Sequence, residues 1–227
     1  MTNIKKSSID FVEKLKKNNN REWFADHKSE YEQNRENLIE FADELLLKLK
    51  QHDNIETVSG KKSIYRIYRD IRFSKDKTPY KTYWSGSFKR ATKLLRGGYY
   101  YHIESNNSFL GGGFWGPSSA DLKLIRQNIL IYGDELKKII NSKEFVNTFG
   151  KLEGDQLKTA PKGFDKNHKH IDLLRYKQFL LIKKFSNKDM LSPDFKDKLN
   201  DGFKAMRPFF DFMSEALTTD ANGELLV

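Results

Sequence analysis

Apolar and polar positions alternate with a period of two over residues 64–74 and again over 80–89. In the first run Tyr65, Ile67, Arg69, Ile71 and Phe73 share one side, and Arg66, Tyr68, Asp70, Arg72 and Ser74 share the other. The first side is apolar apart from Arg69 and is expected to face a core. In the second run Tyr80, Thr82, Trp84, Gly86 and Phe88 fall together. Residues 74–79 (SKDKTP) read as a turn, in which Pro79 fixes its own φ and restricts Thr78 before it. The two runs predict a β-hairpin. Three more alternating runs follow. Residues 98–104 separate Tyr99, Tyr101 and Ile103 from Tyr100, His102 and Glu104, residues 109–115 are glycine-rich, and residues 178–185 (QFLLIKKF) are apolar enough to be expected at the centre of a sheet.

Helical spacing takes over at both ends of the chain. Ser7 or Ser8 is expected to cap a helix running to Lys17, with Phe11, Val12 and Leu15 inward. Asn20 is expected to cap one long helix to about Gln51, along which Trp23, Phe24, His27, Tyr31, Leu38, Phe41, Leu45 and Leu49 form a core-facing stripe. Ser118 and Asp121 make a capping pattern ahead of Leu122, Ile125 and Ile129. Shorter helical stretches are expected at 133–138 and 144–149, and a thick apolar stripe over 190–217 is expected to break at Pro208. Strands in the middle and helices at the ends predict a single α+β domain over 1–227: a largely antiparallel central sheet of about five strands packed by N- and C-terminal helices, with 218–227 a loose tail.

Composition narrows the function. The chain has no cysteine, which excludes disulfides, thiol catalysis and cysteine metal sites. Residues 1–11 lack the apolar run of a signal peptide, and no stretch approaches the ~20 apolar residues that span a bilayer. A cytoplasmic protein without a membrane partner is expected. The net charge is +10, and it is local: residues 61–100 hold twelve Lys and Arg against Asp70 and Asp76, while the rest of the chain is close to neutral. Such a field concentrates anions, and the rings of Tyr65, Tyr68, Tyr80, Tyr83 and Trp84 are interleaved with it.

Cations beside stackable rings suit nucleic acid or a phosphorylated ligand. The anion-binding candidates are Arg66, Arg69, Arg72, Lys75, Lys77 and Lys81, with Tyr68 and Tyr83 as platforms. The competing explanation is a solvated basic sheet, since exposed strands carry Lys and Arg to discourage edge pairing. His102 and Glu104, two apart on one face, are the best acid–base pair in the chain, and Asp70 or Arg72 would join them if the strands are neighbours. An enzyme acting on an anionic substrate is therefore the alternative, and a protein-interaction scaffold meeting an acidic partner the third reading. Asp165, His168, His170 and Asp172 are each possible metal ligands, but at this spacing the histidines converge only in an irregular segment, and no metal is assigned. Gly116-Pro117-Ser118 at a helix entry is a weak phosphate cradle, being neither a dinucleotide fingerprint nor a Walker loop. No cofactor is implied.

The run Arg66-Ile-Tyr-Arg69-Asp70-Ile-Arg72-Phe73-Ser74-Lys75-Asp76-Lys77-Thr-Pro79-Tyr80-Lys81 resembles the signature of an uncharacterised conserved family of bacteria and fungi, a domain of unknown function of about this length. Asn20-Arg21-Glu22-Trp23-Phe24, Gly98-Tyr99-Tyr100-Tyr101-His102-Ile103-Glu104, Leu110-Gly111-Gly112-Gly113, Ala160-Pro161-Lys162-Gly163-Phe164-Asp165 with His168, and Leu173-Leu174-Arg175-Tyr176-Lys177-Gln178-Phe179 fit it too. The resemblance spans nearly the whole chain. It implies a single α+β domain, mostly cytoplasmic, and brings no established reaction.

Overall fold

Four strands, β1 (Trp84–Lys89), β2 (Gly98–Ile103), β3 (Ser108–Phe114) and β4 (Phe179–Phe185), form one antiparallel sheet in the order β1-β2-β3-β4. A computed structural model describes residues 2–220 and 224–226. The helices are α1 (Lys6–Lys17), α2 (Arg21–Asp26), α3 (Lys28–Leu49), α4 (Gly60–Ser63), α5 (Ser119–Ile140), α6 (Lys143–Phe149), α7 (Ile171–Leu174), α8 (Asn187–Met190), α9 (Phe195–Ala205) and α10 (Arg207–Thr218). The α+β class holds, with four strands instead of five.

The missing strand is the first. Residues 64–74 pair with the following segment only at two isolated bridges, Ile64 with Gly86 and Tyr68 with Tyr80, supported by bonds such as Lys81 N to Ile67 O (2.8 Å). The hairpin connectivity is as expected, but the segment is an irregular arm. Its alternating face does not find a core: Ile67 is buried, whereas Tyr65 is half-exposed and Phe73 is 95% exposed. β4 is also misplaced by composition, since it closes the sheet order where a central place was expected. Its outer side is screened instead by residues 153–157, where Glu153 and Leu180 exchange both backbone bonds at 2.9 Å. That cover makes an apolar edge strand tolerable.

By packing the chain divides into two units. The first comprises Met1–Lys89, Tyr100–Leu110 and Lys184–Asp201, the second Arg90–Tyr99, Gly111–Lys183 and Gly202–Val227. In the first unit Trp84, Gly86, Phe88, Tyr101 and Ile103 are buried. Trp84 stacks on Tyr31 at 5.6 Å and donates its indole N–H to Ser8 O at 2.8 Å. Tyr101 reaches the Ser63 hydroxyl at 3.2 Å. Burial of each such ring contributes about 1.5–3 kcal/mol. Two helix starts differ from expectation. Lys5 is the N-cap of α1, because the Ser7 and Ser8 hydroxyls donate to Asn34 Oδ1 (2.8 and 3.2 Å) on α3. Asn20 caps as expected, accepting from Trp23 N at 2.9 Å, but the long helix is broken at His27, whose φ and ψ are −106° and 16°. The His27 ring donates Nδ1–H to Trp23 O (2.8 Å) and stacks on the Trp23 ring at 3.9 Å, so both side chains are half-buried and remain outside the core.

In the second unit Tyr99 packs against Phe203 (5.0 Å) and Phe210 (5.2 Å), and the whole stripe Phe203, Met206, Phe209, Phe210, Met213 and Leu217 is buried. The expected break at Pro208 falls at Met206, with Pro208 in the first turn of α10. Arg90 has no exposed side-chain surface. It donates to Asp211 Oδ1 (2.7 Å), Arg96 O (3.0 Å) and Ser214 Oγ (3.3 Å) and lies over the Phe210 ring. Of the expected loose tail, Thr219 bridges Leu225 and Leu226 N donates to Thr218 O at 2.8 Å; residues 221–223 and 227 lie outside the described residues.

Gly113 has φ +119°, and a Cβ there would fall on the Phe179 carbonyl oxygen, where β3 meets β4. Gly116 has no neighbour within 4 Å of its Cβ position. Gly113→Ala is therefore expected to lower unfolding stability by about 2 kcal/mol or more, and Gly116→Ala by less than about 0.5 kcal/mol, measured by urea denaturation.

Candidate functional site

The structure sorts the cations of the arm. At its tip they are neutralised locally. Arg69, the charge in register with the apolar side, donates to Asp76 (2.5 Å) and to Thr78. Hydrogen bonds from the Thr78 amide, then from Arg69 and the Thr78 hydroxyl, hold the Asp76 carboxyl at about 2. Arg72 grips Asp70 with two bonds of 3.0 and 2.6 Å, which lower the Asp70 carboxyl. Lys77 donates to Ile71 O at 2.9 Å. Asp70 and Arg72 thus meet each other, and neither hydrogen-bonds to His102 or Glu104. Exposed ion pairs of this kind are screened by solvent and add little stability; their effect here is to close the turn.

At the base of the arm the balance differs. Arg66 and Lys81 make no ion pair among the described residues, and neither does Lys75 out in the turn. The Lys81 ammonium stands 5.2 Å from the centre of the Tyr65 ring, and its pKa is lowered by burial first and by the charge of Arg66 second. Tyr65 and Tyr68 are half-exposed, at 48% and 50%. Asn19 fastens the arm by a two-way bond to Tyr80, accepting from its N–H (3.1 Å) and donating to its carbonyl (2.9 Å), while Phe24 stacks on the Tyr80 ring at 4.1 Å. A shallow groove of about 520 Å³ runs between Asn19, Arg21 and the arm residues Ile71, Lys77 and Pro79; Arg66 and Arg72 do not line it.

Beside the arm lies the open side of β2. The Tyr100 hydroxyl and His102 Nδ1 are 3.0 Å apart, and His102 Nε2 and Glu104 Oε2 are also 3.0 Å apart. Asn107 donates to the same carboxylate oxygen at 2.8 Å, and Lys16 is 4.0 Å from the other. The expected pair is thus brought together, and Tyr100 extends it; the period-two pattern already put Tyr100 on that side. The His102 ring is enclosed, 4.3 Å from Tyr83 and stacked 4.8 Å from Phe109, so Tyr83 packs as a wall and is not a free platform. Burial lowers the His102 pKa despite the opposing pull of Glu104. Burial raises the Tyr100 pKa, against a hydrogen bond with Ser85. Burial alone would raise Glu104, but bonds from Asn107 and His102 outweigh it and the net shift is downward. The imidazole is neutral near pH 7. Glu104 takes its Nε2–H, which leaves the Nδ1 lone pair for the Tyr100 hydroxyl.

A family model for conserved hypothetical proteins, DUF2461, matches residues 7–212. The chain belongs to the DUF2461 family. No curated protein and no solved structure matches it. The DUF2461 match takes in the arm, its Asn19 fastening and the β2 relay, so all of these are parts of the family domain.

Other candidates fare less well. Among the described residues no three His, Asp or Glu side chains gather as a metal set. His170 is buried against Gly133 with both ring nitrogens lacking a hydrogen bond, and the Asp134 carboxylate stands 3.4 Å from Nε2. The entry to α5 is occupied by its own acid: Ser118 accepts from Asp121 N, and the Asp121 carboxylate pairs with Arg96 at 3.1 Å. That leaves little there to attract a phosphate. No described helix is long and apolar enough to cross a membrane.

Both His102 and His170 have pKa values lowered mainly by burial. The unfolded chain, with ordinary imidazoles near 6.5, then binds more protons than the folded one once the pH falls to that range. Stability is expected to be full above about pH 7 and to fall as the pH drops through ~6.5 toward the depressed folded values. Melting temperature measured from pH 7.5 down to about 5.5 should show this decline, with a smaller slope in His170→Gln.

Proposed function

We propose that this chain is a cytoplasmic single-stranded nucleic-acid-binding module that uses the base of the arm. Arg66 and Lys81 meet backbone phosphate, with Lys75 adding to the field, and the half-exposed rings of Tyr65 and Tyr68 offer stacking surfaces. The observation that carries this reading is the pair of cations at Arg66 and Lys81, which make no ion pair among the described residues and are close enough for one to lower the other's pKa. Asp70 feels the charge of Arg66 but is itself gripped by Arg72, so the two like charges are only weakly offset in the free protein, and an anion relieves that. An open surface with exposed rings suits an extended strand better than a small phosphorylated ligand, which calls for an enclosing pocket. The tip arginines, which sequence alone ranked equally, are already paired and take a lesser part.

Fluorescence anisotropy with a labelled single-stranded oligonucleotide tests this between about 50 and 200 mM salt. Wild type should bind with a steep salt dependence. Arg66→Gln/Lys81→Gln should weaken binding by about tenfold or more and reduce the log–log slope by about 1.4, at ~0.7 per lost phosphate contact. Arg69→Gln/Arg72→Gln should change affinity by less than about threefold, since both are already paired with carboxylates. Absence of binding at low salt, or binding indifferent to the Arg66/Lys81 variant, defeats the proposal.

A further inference from the structure

We infer that the open side of β2 is a general-base site for the ribose 2′-hydroxyl of bound single-stranded RNA, with Tyr100 as the catalytic residue and His102 and Glu104 positioning and charging it. This rests on the nucleic-acid reading above and deepens it. Three features of the geometry lead here.

The hydrogen bonds run one way. Tyr100 O–H donates to His102 Nδ1, and His102 Nε2–H donates to the Glu104 carboxylate, each across 3.0 Å. A chain with this polarity draws protons inward from its outer end. The outer end is open to a ligand, since Tyr100 is half-buried, whereas His102 is 7% exposed between Tyr83 and Phe109 and Glu104 at the far end is taken up by Asn107 and faced by Lys16. The outer end also adjoins the unpaired cations. The Tyr100 and Tyr65 rings are 6.3 Å apart, and Lys81 stands over Tyr65. A phosphate at Lys81 and Arg66 places the adjoining sugar toward Tyr100.

The step balances without a redox partner. The 2′-hydroxyl proton passes to Tyr100 Oη as the tyrosine's own proton passes to His102 Nδ1. The freed 2′-oxygen electron pair forms a bond to the adjacent phosphorus, and the bond from phosphorus to the 5′-oxygen breaks. The departing 5′-oxygen takes a proton from the Lys81 ammonium. The products are a 2′,3′-cyclic phosphate and a 5′-hydroxyl; the resulting imidazolium, held by Glu104, returns its proton to solvent through Tyr100, and the neutral Lys81 amine takes one up from solvent. Tyr100 is protonated before and after, so its raised pKa is no barrier. The lowered pKa of Lys81 makes it the better acid.

The experiment uses the full chain with three labelled single strands of one sequence: RNA, DNA, and RNA methylated at every 2′-oxygen. Cleavage is read on denaturing gels and the termini by mass spectrometry, with anisotropy run alongside. The expected result is cleavage of RNA alone to 2′,3′-cyclic phosphate ends. Tyr100→Phe, which keeps the ring packing, should lower the rate by about a hundredfold or more with binding within about twofold of wild type. The rate should rise with pH through the His102 titration and then level, and Glu104→Gln should move that inflection to lower pH, a shift that a packing role alone does not produce. Binding without cleavage, cleavage of DNA, or equal cleavage by wild type and Tyr100→Phe overturns this inference while leaving the binding proposal standing. Absence of RNA binding overturns both.

Discussion

The buried hydroxyl of Tyr101 sets the register on which the candidate site depends. It meets Ser63 Oγ at 3.2 Å, and Ser63 in turn donates to Gly60 O at 2.7 Å. Gly86 makes room for it: a Cβ there would collide with the Tyr101 ring and hydroxyl. A strand has an exact period of two, so a slip of one residue exchanges its faces. Here the slip would send His102 and Glu104 into an apolar core and bring Ile103 out. The cost of burying that pair without partners far exceeds the roughly 1 kcal/mol of an ordinary hydrogen bond. The polar side of β2 is thus secured by what lies on its apolar side.

Charge in this protein is decided by pairing more than by number. The arm's tip spends its charges on closing its own turn: Arg69 with Asp76, Arg72 with Asp70, Lys77 with backbone carbonyls. Three further basic residues of the same stretch are engaged elsewhere, Lys89 with Glu56, Arg90 with Asp211 and Arg96 with Asp121. Among the described residues Lys61, Lys62, Arg66, Lys75, Lys81 and Lys93 make no ion pair, and of these Arg66 and Lys81 stand together at the arm's base. Out of an excess of +10 spread over a stretch of sequence, folding sets one close pair of unpaired cations beside two half-exposed rings.

The relay on β2 and the arm beside it share a design in which packing does the orienting. Rings from Tyr83 and Phe109 enclose His102, so its tautomer is set by Glu104 and its reach is limited to Tyr100. Asn19 and Phe24 hold Tyr80, and through it the arm, at a fixed height. Neither device resembles a deep pocket, which fits an extended ligand laid across a surface.

Local periodicity by itself determined much of this. The face shared by Tyr100, His102 and Glu104, the caps at Asn20 and Ser118, the break near Pro208 and the buried stripe of α10 all follow from spacing, because helix and strand geometry acts between residues a few positions apart. Membership of the family was equally legible. Tertiary structure alone decided the rest. Whether 64–74 becomes a strand depends on a core for its second side, and only Ile67 finds one. Whether β4 is central depends on which segment covers it, and residues 153–157 do so from far along the chain. Whether a cation is free depends on a carboxylate that sequence distance does not reveal: Asp211 lies 121 residues from Arg90, and Asp121 lies 25 from Arg96. Short-range geometry is written in the order of residues, while neutralisation and cover are long-range events that exist only after the chain has folded.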